Sequence, residues 1–160
     1  MVYFFLIILF TLLQALLLGR IHIFGVATPL LYVYLILLFP RGFSKWQHLV
    51  WAFVMGLAVD MFESTPGLAA STMTLTAFVQ PHVLELFLKK EDGPDFAPSI
   101  ATMGWTKYFA YALILVSLYC FVFFTLEAFS MVYWSGWLLG IVGSIVLTMV
   151  IILIVDSVRK

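Results

Sequence analysis

Residues 134–155 read WSGWLLGIVGSIVLTMVIILIV, a run without a charged side chain. A helix rises about 1.5 Å per residue, so roughly 20 apolar residues cross the ~30 Å hydrocarbon layer of a bilayer. The run is long enough to span, and similar ones lie at about 2–19, 24–39, 46–62, 67–88 and 108–126. The expected fold is all-α: about six transmembrane helices in one integral membrane domain over 1–160. Polar or helix-breaking residues separate the runs, at Arg20, Pro40-Arg41-Gly42 and Glu63-Ser64-Thr65-Pro66. The one long polar connection, 89–107, carries Gly93-Pro94 and Ala97-Pro98 as breakers.

Composition agrees with this reading. The chain is 64% hydrophobic and 10% charged, against roughly 45–50% and about 25% in ordinary soluble domains. A soluble fold of this length has too little interior to hide so much apolar surface. Net charge is zero and no basic stripe offers a nucleic-acid surface. Cys120 is the single cysteine and lies in an apolar run, so no internal disulfide can form. The N-terminal residues lack the basic start and small-residue cleavage site of a secretory signal, and are expected to be an uncleaved first span. No myristoylation or prenylation motif is present.

Orientation follows from the basic residues. With six spans, both termini share a side with Arg41, Lys45, Lys89, Lys90, Lys107, Arg159 and Lys160, and only Arg20 lies opposite. The positive-inside rule then puts both termini in the cytoplasm. Trp46, Trp51 and Trp105 fall near the expected inner boundary, and Trp134 and Trp137 near the outer one, as interfacial aromatics do.

Asp60, at the outer end of the third span, is the ionisable residue deepest in an apolar run. An intramembrane carboxylate is costly and is a functional candidate. Two roles are open to it: accepting bonds from the free amides that start the next span, around Gly67 and Leu68, or relaying protons. The fourth span opens with Gly67-Leu68-Ala69-Ala70-Ser71-Thr72-Met73-Thr74, small and hydroxylated residues that let helices approach closely. It later carries Gln80-Pro81-His82 and Glu85; Pro81 removes a backbone donor and is expected to kink the helix. This span is read as a central packing helix, or else as the wall of a polar cavity with Gln80, His82 and Glu85 at its inner mouth. In the sixth span Gly136, Gly140 and Ser144 stand four residues apart and make a close-packing stripe, for the bundle or for a partner. His22, His48 and His82 lie in separate segments, and no metal-ligand spacing, nucleophile elbow or phosphate-binding loop is present. Neither a catalytic residue nor a cofactor is expected.

The order of these features resembles the MreD family of bacterial rod-shape-determining membrane proteins. The second span opens Thr28-Pro29-Leu30-Leu31-Tyr32, similar to the proline-plus-leucine start of that family, and the third ends Gly56-Leu57-x-x-Asp60, similar to its Gly-Leu-Leu-x-Asp signature. Pro66-Gly67 follows where the family has a short turn and Leu-Gly; here the order is Pro-Gly-Leu. The resemblance implies a non-enzymatic part of the cell-elongation machinery in the bacterial inner membrane. Its implied partners are MreC, RodA with its transpeptidase, the MreB filament, and membrane lipid. It further implies a likeness to the six-span substrate-binding subunits of energy-coupling-factor vitamin transporters. Those subunits are the rival reading; their Ala-x-x-x-Ala docking pattern is here only Ala15-x-x-x-Gly19.

Overall fold

The structure is a computed structural model. It describes Phe5, Leu9 and residues 33–64, 66–128 and 134–158. The first expected span, Arg20, most of the second span and Pro29 lie outside the described residues. Among those described there are six helical segments over 33–158 and no strand: α1 (Val33–Leu37), α2 (Lys45–Glu63), α3 (Leu68–Phe87), α4 (Ile100–Met103), α5 (Trp105–Ala128) and α6 (Trp134–Val158).

The helix ends have local causes. Ser44 caps α2 in a reciprocal box: its Oγ accepts from the Gln47 amide, and its own N–H donates to Gln47 Oε1. Ser64 closes α2 at φ 57°, in the left-handed region, with its N–H donating to the Asp60 carbonyl. Gly67 (φ 81°) then turns the chain into α3. Ser99 and Thr102 repeat the capping box at α4. Gly104 (φ 83°) separates that short turn from α5, which begins before the expected boundary at 108.

α2 and α3 form the most extensively packed pair. Contacts join Asp60 to Ala69 and Gly56 to Ala70, so the two helices run in opposite directions. α3 also packs on α5, and α5 on α6, while the end of α1 sits against both α3 and α5. The core is built on α5 tyrosines and aliphatics (Tyr108, Tyr111, Leu115, Tyr119) with Met55, Met73, Leu84 and Ile152, and the segment 33–39 is buried throughout.

Two helices, over Trp105–Glu127 and Gly136–Val158, are long and apolar enough to cross a membrane, with mean hydropathies of 2.3 and 3.0. The other two long helices hold more polar residues, and five of these turn inward: His48, Asp60, Thr72, Thr76 and Gln80 are buried, whereas Lys45, Gln47, Ser71, His82 and Glu85 are exposed. Large apolar side chains turn outward instead, with Trp46 78% and Met61 84% exposed. On α6 the exposed face is Leu138, Val142, Val146, Val150, Ile154 and Val158, and the buried stripe is Gly140, Ser144, Thr148, Ile152 and Asp156. Gly140 and Ser144 thus face inward. Gly136 is different: it is exposed, and a Cβ there would meet nothing within 4 Å, so it makes no close contact among the described residues.

The polar connection between α3 and α5 is packed down. The Arg41 amide donates to the Phe96 carbonyl at 3.0 Å, and Arg41 Nη1 to the Asp92 carbonyl at 2.6 Å. A Cβ on Gly42 would stand 2.7 Å from the Pro94 oxygen, so only glycine lets the two turns meet.

Candidate functional site: two buried carboxylates and a polar chain

A helix N-terminus leaves its first amides without intrahelical partners, and its dipole favours a negative charge there. Asp60, 5% exposed, meets both conditions at the start of α3: Oδ1 accepts from the Ala69 amide at 2.9 Å and Oδ2 from the Ala70 amide at 3.0 Å. The bonded amides lie two residues beyond Gly67 and Leu68. Gly67 is the left-handed turn residue that leads the chain into the helix. Pro66 and Gly67 are both exposed.

Glycine four residues before Asp60 makes this geometry attainable. A Cβ on Gly56 would lie 2.3 Å from Ala70 Cα and 2.7 Å from Ala70 N, inside any real contact distance. The absent side chain lets the α3 backbone come near enough for the carboxylate to bridge. Gly56, Asp60, Ala69 and Ala70 thus act as one unit.

A second buried carboxylate was not singled out from the sequence. Asp156, 3% exposed on α6, accepts from Tyr34 Oη at 3.0 Å and from the Ile100 amide at 2.7 Å. It ties α1, α4 and α6 together and caps the short helix that starts at Ile100. Its place just past an apolar run, near Arg159 and Lys160, reads as a solvated helix end. Its four-residue spacing from Ser144, Thr148 and Ile152 was the available signal.

The third group is a chain of buried polar side chains. Gln80 Nε2 donates to Tyr111 Oη at 2.8 Å and to the Phe39 carbonyl at 3.4 Å, and Tyr111 Oη donates to the Leu37 carbonyl at 3.3 Å. These bonds satisfy carbonyls freed where α1 ends. His48 is buried as well; its Nδ1 is 3.1 Å from the Ser44 carbonyl. Gln80 Oε1 is buried with no hydrogen-bond partner.

The polar mouth of Gln80, His82 and Glu85, the alternative to a packing helix, does not form. Gln80 is buried, whereas His82 and Glu85 are exposed. Two residues along a helix turn the side chain by about 200°, so His82 must point away from Gln80. Pro81 lies inside α3, which continues through it to Phe87. A shallow groove of about 370 Å³ does lie between α2 and α3, lined by Leu49, Phe53, Ser71, Thr74, Leu75 and Phe78. Its hydroxyls are turned onto their own helix, Ser71 to the Gly67 carbonyl and Thr74 to the Ala70 carbonyl, so the groove presents an apolar wall. No cluster of three metal-ligating side chains occurs among the described residues.

No family model, no curated protein and no solved structure matches the chain.

Proposed function

We propose that the chain is an MreD-like membrane scaffold of the bacterial cell-elongation machinery, with about six spans and both termini in the cytoplasm. The observation that carries the reading is the Gly56–Asp60 unit. Two of the residues that bear the family resemblance, Gly56 and Asp60, clamp α2 to α3. The inward turn of His48, Asp60, Thr72, Thr76 and Gln80, with large apolar side chains exposed on the same two helices, suits a bilayer environment for the two long helices whose composition alone is mixed. The buried polar groups described above are engaged in holding helices in place, which fits a part that works by shape. Association with partner spans would follow from packing, since lipid tails are as apolar as leucine. Affinity purification of the full chain in mild detergent tests this. Recovery of MreC and RodA is expected; recovery of ATPase subunits in their place would replace the scaffold with a vitamin-transporter subunit.

A further inference from the structure

We propose that the groove between α2 and α3 is a lipid site. It takes one acyl chain of a glycerophospholipid whose phosphoethanolamine headgroup lies across the groove's end, between Lys45 on one helix and His82 and Glu85 on the other. The proposal rests on the membrane placement of α2 and α3, and not on the identity of the scaffold's partners.

The walls decide what can enter. Leu49 and Phe53 of α2 and Leu75 and Phe78 of α3 form an apolar channel, and Ser71 and Thr74 donate their hydroxyl hydrogens to their own helix. The bulky rim holds a second backbone away, and no hydroxyl hydrogen is left to bond across. Both devices that draw membrane helices together are therefore missing from this face. A slender acyl chain suits such a channel, held by dispersion contacts. Lipid tails are as apolar as the leucine they would touch, so the tail brings little selectivity. A preference among lipids has to come from the end of the groove.

The helix register shows what stands there. α2 and α3 are antiparallel, with Asp60 against Ala69 and Gly56 against Ala70. Each turn back along α2 matches a turn onward along α3: Phe53 and Thr74 line the groove, then Leu49 and Phe78. The next turn brings Lys45 and His82 to one level. Glu85 stands seven residues beyond Phe78, so two turns of helix carry it to within about 20° of the same line. Lys45, His82 and Glu85 are exposed, and no ion pair joins them to another described residue. Trp46, beside Lys45 and 78% exposed, marks the depth, because indoles settle among lipid headgroups.

The order of charge across the groove selects the headgroup. His82 packs on Phe78 with ring centroids 5.8 Å apart, and its Nδ1 lies 3.2 Å from the Phe78 carbonyl. A carbonyl only accepts, so Nδ1 carries hydrogen, and Nε2 of the neutral ring is an acceptor. α2 thus offers a cation, and α3 offers a carboxylate and a ring nitrogen. In a phosphoethanolamine group the phosphate oxygens accept from Lys45 Nζ, and the primary ammonium donates to Glu85 and to His82 Nε2. A choline group has no N–H to donate. An anionic headgroup without an ammonium would face the Glu85 carboxylate. Lys89 and Lys90 lie beyond the end of α3; were they the contacts instead, anionic lipids would bind best.

Native mass spectrometry of the full chain in detergent tests this, with phosphatidylethanolamine, phosphatidylcholine and phosphatidylglycerol of the same acyl chains titrated separately. One phosphatidylethanolamine should bind at least about fivefold more tightly than either of the others. Glu85→Lys, a change at an exposed position, should turn the preference to phosphatidylglycerol, and Lys45→Glu should weaken both phospholipids that wild type can hold by phosphate alone. A phosphatidylethanolamine carrying a diazirine in its acyl chain should label 49–53 and 71–78, and unlabelled phosphatidylethanolamine should compete the label away there. Equal affinities, an anionic preference in wild type, or a preference indifferent to Glu85→Lys would overturn the assignment. Labelling confined to other faces would overturn it too, and would mean that another span fills the groove. Carbonate extraction of cell membranes separates the two levels of the argument: a chain that washes off undoes placement and site together, whereas a chain that stays without a headgroup preference undoes the site alone.

Discussion

Both oxygens of Asp60 accept a main-chain hydrogen bond, and this decides what each substitution loses. Asparagine keeps one carbonyl acceptor but sets its NH2 group against the second amide, so Asp60→Asn is only half a replacement. Stranding one buried donor costs about 1–3 kcal/mol. Asp60→Leu strands both amides and should cost more. Thermal unfolding in detergent should rank wild type above Asn and Asn above Leu; equal stability of the two variants would show that the bonds contribute little. A proton relay would show the opposite pattern, with Asn fully folded and functionally dead. Glycine plays different parts at two sites. Gly56→Ala drives a methyl into the Ala70 backbone, and overpacking of that kind costs about 1–3 kcal/mol. Gly136→Ala meets open space on a helix and should be neutral, or stabilising by up to about 1 kcal/mol. Melting temperatures of the two variants check the contrast.

The ends of elements are where local sequence and long-range structure part company. Ser44, Pro40 and Gly67 mark helix ends that are written locally, and the apolar runs from 46 and 134 become α2 and α6 within a few residues. Asp60 was legible as a helix-capping candidate because its partner lies only nine or ten residues on. Asp156 was not, since Tyr34 and Ile100 are 122 and 56 residues away and nothing local points to them. The Gln80–Tyr111 pair was hidden for the same reason: Gln80, Tyr111 and the carbonyls of Leu37 and Phe39 belong to different parts of the chain, and only packing brings them together. The 89–107 segment reads only as a long polar connection with proline and glycine breakers; in the fold, carbonyls within it are held by Arg41 and its helix α4 is capped by Asp156. Asp156→Ala should therefore free this segment. Limited trypsin digestion should cut after Lys89 and Lys90 markedly faster in that variant, while Leu139→Ala, a change at an exposed site, leaves the rate unchanged. Equal rates in all three proteins would mean that Asp156 does not hold the connection.

For the whole molecule, the proposed membrane placement makes a simple claim about sides. A reporter active only in the periplasm should be silent when fused after Lys160 and active when inserted near Ser64. The reverse would overturn the arrangement with both ends inside. The same placement gives the Asp60 clamp a meaning in biogenesis. A lone carboxylate at the centre of a helix entering lipid costs about 2.5–3.5 kcal/mol by insertion scales, though Asp60 sits nearer the helix end, where the cost is smaller. Its partners are the free amides of the following helix, which themselves need an acceptor in a medium without water. Each helix carries into the bilayer a debt that the other cancels, so the two should partition as a pair. In a cell-free translocation assay with glycosylation reporters, residues 40–66 alone should integrate poorly and residues 40–90 well, and Asp60→Leu should reverse the order by easing the first helix and stranding the second. Independent insertion of both helices, unaffected by the substitution, would show that the clamp forms only after both are already across.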